Sequence, residues 1–214
     1  MSGTLRGLYV ITPLGLAGSA DLASQVQQAL LGGASCVQYR DKSTDRDRRR
    51  NEAETLARFC RKAKVPFIVN DDPELAAAVE ADGVHLGQED RDIGQARRLL
   101  GHRALIGISC YNRLDLARAA QKAGADYVAF GRFFPSASKP YAVEASPQLL
   151  TAARAEIRLP LVAIGGITPE NGAALVRAGA DMLAVIHGVF GQPDVRRAAR
   201  AYASCFDPEE ASRP

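Results

Sequence analysis

Eight short apolar runs, evenly spaced along the 214 residues, constrain the fold of this chain more than any other feature. They are Leu8 to Ile11, Cys36 to Tyr39, Phe67 to Val69, Val84 to Leu86, Leu105 to Ile108, Tyr127 to Phe130, Leu161 to Ile164 and Met182 to Ile186. Each is apolar at nearly every position and rich in Val, Ile and Leu, the pattern of a strand buried on both faces of a parallel sheet. Longer stretches with helical spacing lie between them, among them Asp21 to Leu31, Arg46 to Lys62, Asp115 to Lys122 and Glu170 to Arg177. Asp72-Pro73 and Thr168-Pro169 each put a capping side chain before a proline at the first helical position.

A weak internal repeat supports the count. GGAS precedes Cys36, EADG precedes Val84, GADY precedes Val128 and GADM precedes Leu183. Small residues there let a helix turn tightly into the next strand. Eight strand–helix units of roughly 25 residues fill about 200 residues, near the lower size for a (β/α)8 barrel. A doubly wound open sheet competes, but no G-x-G-x-x-G follows the first strand, and the even spacing favours closure. The expectation is an α/β single-domain (β/α)8 TIM barrel over 1–206, with 207–214 (DPEEASRP) a polar C-terminal tail.

Composition removes several function classes. Lys plus Arg number 27 against 24 Asp plus Glu, a net charge of +3, which is too even for a nucleic-acid binder or a polybasic membrane protein. No apolar run approaches the ~20 residues needed to span a bilayer, and the first residues lack the apolar core of a signal peptide. Cys36, Cys60, Cys110 and Cys205 are scattered, with no C-x-x-C pair, so reduced thiols and a cytoplasmic location are expected.

Active sites of such barrels lie at the carboxyl ends of the strands. After the second apolar run, Gln38, Arg40 and Lys42 alternate with Tyr39 and Asp41, and alternation by two turns Gln38 and Arg40 to the same side. Asn70-Asp71-Asp72 follows the third run and Gly87-Gln88-Glu89-Asp90 the fourth, while the fifth ends at Ser109. GRFFPSASK follows the sixth, bringing Ser136, Ala137, Ser138 and Lys139. Gly165-Gly166 follows the seventh, and His187-Gly188 the eighth, which ends at Ile186. Arg40, Lys42 and Lys139 suit an anionic ligand. Asp71 and Asp90 are hard oxygen donors compatible with one Mg²⁺ that keeps waters and phosphate oxygens. The glycines stand where many barrels bind phosphate on backbone N–H groups. Taken singly, each has a plainer reading: Asp72 as a helix cap, Gly165-Gly166 as a turn, the run Arg46 to Arg50 as a solvated helix face, His85 as a satisfied core residue, and His102 as a surface loop residue.

LYVIT, VQYRDK, VNDD, DGVHLGQED, GISCY, FFPSASK and IGGITPEN stand in the order and spacing of the thiamine phosphate synthase family, which the chain resembles from about residue 8 to 190. The resemblance implies a Mg²⁺-dependent cytoplasmic transferase of thiamine biosynthesis. Its small-molecule substrates are 4-amino-2-methyl-5-pyrimidinylmethyl diphosphate and thiazole phosphate, and its products are thiamine phosphate and pyrophosphate. It implies that Gln38, Tyr39, Arg40, Asp41, Lys42, Asn70, Ser109 and Lys139 serve the pyrimidine diphosphate, with Arg40, Ser109 and Lys139 catalytic. Ser136, Ala137, Ser138, Gly166, Ile186 and His187 serve the thiazole phosphate, and Asp71 and Asp90 the metal. The family suggests a homodimer. Two departures stand out: Ser136 and Ser138 replace the usual threonines, and His187 replaces a common serine. Rival expectations are the related thiazole tautomerase, which needs neither the Gln38-Arg40-Lys42 set nor the Asp pair, a silent relative that senses thiamine phosphate, and another phosphate-handling barrel.

Overall fold

A computed structural model describes residues 5–16, 21–88, 92–135 and 143–207. The chain alternates strand and helix: β1 Gly7–Ile11, α1 Leu22–Leu31, β2 Ala34–Tyr39, α2 Arg46–Ala63, β3 Phe67–Asn70, α3 Pro73–Ala78, β4 Gly83–Leu86, α4 Ile93–Leu100 and β5 Leu105–Tyr111. It continues with α5 Leu114–Ala123, β6 Tyr127–Gly131, α6 Pro147–Glu156, β7 Leu161–Ile164, α7 Pro169–Arg177, β8 Met182–Val185, the one-turn α8 His187–Phe190, and α9 Val195–Ala203. All neighbouring strands are parallel, and β8 pairs with β1, so the sheet closes into a barrel. The expected (β/α)8 architecture is what the chain adopts. Of the expected tail 207–214, residues 208–214 lie outside the described residues.

Period-two alternation divides each strand between two cores. One face packs against the helices, with Leu8, Val10, Val37, Tyr39, Val69, Leu86, Ile106, Val128 and Phe130 buried there. The other fills the barrel with Tyr9, Ile11, Cys36, Ile68, Tyr127, Ala129, Val162, Met182 and Ala184. Helix starts use aspartate caps: Asp45, Asp72, Asp92 and Asp194 accept from the backbone N–H of Arg48, Leu75, Gln95 and Arg197.

The small-residue repeat has a second purpose beyond the tight turn. Asp82, Asp126 and Asp181 accept, through a carboxylate oxygen, a backbone N–H at the start of the preceding strand, from its first residue in Phe67 at 2.8 Å and Leu161 at 2.8 Å and from its second in Ile106 at 2.7 Å. The backbone N–H of each returns a bond to the neighbouring strand, to the carbonyls of Phe67, Ile106 and Leu161. Ser35 holds the equivalent place and donates to the Leu8 carbonyl at 3.0 Å. These side chains stitch the amino-terminal rim, where a strand's first backbone donor otherwise lacks a partner. That rim carries stability, and the opposite one is left for chemistry.

Candidate active site

The carboxyl-terminal mouth opens into a cavity of about 970 Å³. Gln38, Arg40, Asn70, His85 and Ser109, from β2 to β5, line one wall, and Gly165, Gly166, Ile186 and His187 line the facing side. Strand parity is the cause. Gln38 is two residues beyond Cys36, and Asn70 two beyond Ile68, so both follow interior residues on the same face. The structure therefore brings together Gln38, Arg40, Asn70, Ser109, Gly166, Ile186 and His187 as the sequence led one to expect. Arg132, directly after β6, adds a cation to the lining and pairs with Glu144 at 3.0 Å.

Gly165 and Gly166 have φ of 104° and 63°. A Cβ on Gly165 would meet Arg132 Cβ at 2.3 Å, and one on Gly166 the Pro135 carbonyl at 2.4 Å. Glycine here thus serves both plain purposes at once, a left-handed turn and room for the loop after β6. Their backbone also borders the cavity, together with the start of α8.

Lys42 and Asp71 stand apart from the main cavity. They border a shallower hollow beside it, shared with Asp41, Ser43, Arg49, Asn70, Asp72 and Glu74. Lys42 Nζ lies 3.0 Å from the Asp71 carboxylate. Asp71 is held with φ of 62°, its N–H bonded to the His85 carbonyl at 2.9 Å. Asn70, lining both spaces, joins them. Among the described residues no group of three or more His, Cys, Asp or Glu is placed to hold a metal. Asp71, paired here with Lys42 and sharing the hollow with Asp41, Asp72 and Glu74, is a hard oxygen donor of the kind a divalent cation takes beside water and phosphate. Asp90, Ser136, Ala137, Ser138 and Lys139 lie outside the described residues.

Tyr39 and Asp41 hold the loop after β2 rather than facing the cavity. Tyr39 is buried against the helices and donates to Glu52 at 2.7 Å. Burial pushes its phenol up, and Glu52 adds to this. Asp41 accepts from the Ser43 N–H at 2.8 Å and from Arg48 at 2.8 Å. Burial works against its ionised form, but the Ser43 N–H and hydroxyl, with Arg48 and Arg49, outweigh it and hold the carboxyl below its usual value.

The basic run at Arg46 to Arg50 departs from the expected solvated face. Arg46 and Arg50 are exposed. Arg48 turns inward to Asp41, Ser43 and Glu52, and Arg49 binds Asp72 at 2.8 Å. Asp72 thus caps α3 as read and also ties α2 to the loop after β3. His85 is buried with both ring nitrogens partnered, which matches the core reading, yet it also borders the cavity. Tyr9 and Tyr127 line the barrel interior with hydroxyls 2.9 Å apart, and no local signal in two apolar strands marks them as polar. No helix among the described residues is long and apolar enough to cross a membrane.

The family model described as thiamine monophosphate synthase matches residues 8–189. The thiamine-phosphate synthase of Nitrosococcus oceani is 54% identical over 206 residues, covering 96% of this chain and 95% of the relative. That of Thiobacillus denitrificans is 55% identical over 191 residues, covering 88% and 90%. Among solved structures, thiamine phosphate pyrophosphorylase from Pyrococcus furiosus superposes with a TM-score of 0.84 at 34% identity, covering 94% and 96%. The chain belongs to the thiamine monophosphate synthase family.

Proposed function

We infer that the chain joins the pyrimidine methylene of 4-amino-2-methyl-5-pyrimidinylmethyl diphosphate to the nitrogen of thiazole phosphate, giving thiamine phosphate and pyrophosphate. The observation that carries this is one cavity with two chemically different walls. Gln38, Arg40, Asn70 and Ser109, on or directly after β2, β3 and β5, face a glycine-bordered rim across about 970 Å³, room for two ring substrates side by side. Family membership over nearly the whole chain supports the same reaction.

The methylene–oxygen bond breaks with its electron pair leaving on pyrophosphate, and the aminopyrimidine ring stabilises the resulting cation. The thiazole nitrogen lone pair then forms the new carbon–nitrogen bond. No protein nucleophile and no net proton transfer are needed, so the protein acts by positioning and by electrostatic stabilisation of the leaving charge. In this reading Gln38 and Asn70 orient the pyrimidine, Ser109 completes the pyrimidine diphosphate site beside them, and Arg40 and Lys139 act on the diphosphate, with Lys42 beside them. Tyr39 and Asp41 contribute through the loop they hold. Gly166, Ile186 and His187 receive the thiazole phosphate together with Ser136, Ala137 and Ser138. Asp71 and Asp90 would hold Mg²⁺, which supplies neutralising charge to the departing pyrophosphate. The cytoplasm is the proposed location and a homodimer the proposed assembly.

The test is pyrophosphate release by the purified protein with both substrates and Mg²⁺, each omitted in turn. Release that needs all three, with thiamine phosphate as co-product, is expected. Binding of thiamine phosphate without release would favour a sensor, and thiazole isomerisation without a pyrimidine substrate would reveal a tautomerase.

A further inference from the structure

Beneath the cavity, five side chains from five strands form one continuous hydrogen-bonded chain. Gln38 Nε2 donates to Tyr9 Oη at 2.7 Å, Tyr9 Oη meets Tyr127 Oη at 2.9 Å, Tyr127 Oη meets His85 Nδ1 at 3.1 Å, and His85 Nε2 meets Ser109 Oγ at 2.9 Å. Its two ends, Gln38 and Ser109, both border the cavity. Its middle is buried but not cut off from the cavity: Tyr9 and Tyr127 are 1% exposed and His85 8%, Tyr9 and His85 also border the cavity, and the His85 ring stacks on Tyr127 at 5.5 Å between centroids. Burial pushes both phenols well above their ordinary values, so neither ionises and each has one proton to give.

In such a chain the protons must all point the same way. Tyr9 takes the Gln38 N–H and passes its own proton to Tyr127. Tyr127 passes its proton to His85 Nδ1, which must therefore be bare. The neutral imidazole carries its proton on Nε2 and gives it to Ser109 Oγ, whose hydroxyl proton is released toward the cavity. The opposite polarity turns over every member at once. It requires a flipped Gln38 amide, a proton on His85 Nδ1, and an amide donor with a hydroxyl acceptor at the cavity.

We propose that His85, Tyr127 and Tyr9 are positioning residues that fix this polarity, so the floor offers an acceptor at the Gln38 amide oxygen and a donor at the Ser109 hydroxyl. This deepens the synthase reading and rests on it for the identity of the ring. An aminopyrimidine presents both an amino donor and a ring-nitrogen acceptor, which suits such a pair. A pyrimidine with an oxo group in place of the amino group sets acceptor against acceptor, and relieving that clash means turning over every member of the buried chain at once. The floor thus selects amino over oxo.

Two measurements test it. The first uses the wild-type protein with ¹⁵N-labelled histidine; the chain has only three histidines, and the His85→Gln variant assigns the signal. His85 is expected as the Nε2–H tautomer, with Nδ1 at the shift of an unprotonated ring nitrogen. An Nδ1–H tautomer overturns the polarity, and this readout stands whether or not the protein has synthase activity. The second compares Tyr127→Phe, which keeps the ring and removes the link, with wild type in steady-state turnover. The KM for the pyrimidine diphosphate is expected to rise about tenfold, the effect of one lost buried hydrogen bond, with the KM for thiazole phosphate unchanged. Discrimination against the 4-oxo analogue should fall in the same variant. Equal shifts in both KM values, or undiminished discrimination, would overturn the positioning role, while a wild type without turnover would count against the synthase reading and leave the tautomer to decide the chain.

Discussion

Gly107 is a position where adding a single methyl group should be costly through one identifiable side chain. It lies in the middle of β5, and a Cβ placed on it would fall 1.9 Å from Tyr127 Cζ, 2.3 Å from Cε2 and 2.4 Å from Oη. Carbon atoms pack at ~3.5–4.0 Å, so in Gly107→Ala the ring has to retreat by about 1.6 Å. Tyr127 Oη now bonds Tyr9 at 2.9 Å and His85 at 3.1 Å. A retreat of that size takes both past the hydrogen-bond limit of ~3.2 Å. Overpacking of a tight core costs about 1–3 kcal/mol, and each buried hydrogen bond lost adds about 1 kcal/mol, for a total near 3–5 kcal/mol. With a urea slope of about 1–3 kcal/mol per molar, the unfolding midpoint should fall by at least about 1 M at unchanged slope. The control is Tyr127→Leu, which removes the three atoms in the clash. In that background the same methyl should cost under ~1 kcal/mol, giving a coupling of at least about 2 kcal/mol. Equal destabilisation by Gly107→Ala in both backgrounds would refute the steric cause, because the ring would then be irrelevant.

Further outcomes follow from other parts of the molecule. Asp71→Ala should lower pyrophosphate release by about a hundredfold or more with little change in melting temperature, since the carboxylate serves the leaving charge; unchanged turnover would remove it from the site. Arg49→Ala leaves Asp72 without its 2.8 Å partner beside Asp71; the Mg²⁺ concentration for half-maximal rate should rise about tenfold, and saturating Mg²⁺ should restore the rate. The four cysteines are free and buried, and burial pushes Cys60 and Cys110 up to about 12. Native protein should therefore resist a thiol reagent at pH 8 and titrate four thiols in urea. The Asp41 carboxyl is held low in the folded chain, so it releases its proton more readily there than when unfolded. Its stabilising contribution is complete above ~pH 5 and is lost as pH falls below ~3.9 through the folded value. Asp41→Asn should flatten the urea midpoint over that window relative to wild type.

Most of the fold was legible because a parallel barrel strand is buried on both sides and reads as an unbroken apolar run. All eight runs became strands, several of them longer at an end, by two residues at β2 and three at β5, while β8 stops one residue short, at Val185. The repeat before the strands was visible too, but only half of its meaning was. Gly and Ala announce a tight turn locally. The carboxylates of Asp82, Asp126 and Asp181 instead serve N–H groups 15 to 20 residues back, and no local pattern shows such a partner.

The same divide runs through the site. Gln38 and Arg40 were readable because they share a parity, and period two carries a side chain's direction without knowledge of its neighbours. Arg48 and Arg49 were not, since a charge run looks alike whether its partners are water or the acids of two loops. Tyr9 and Tyr127 hid for the opposite reason. In an apolar strand a tyrosine reads as core, and here it is core, but the hydroxyl that makes it part of the floor meets a partner 118 residues away. His85 stood between these cases. It pairs in register with Asn70 on one side and Gly107 on the other. Its parity alone puts it inside the barrel one strand from Ser109. A polar residue at inward parity in a strand otherwise buried on both faces must find its partners inside the barrel. In a barrel whose chemistry sits at one end, those partners lead toward the site, and that inference needs only the sequence and the strand count.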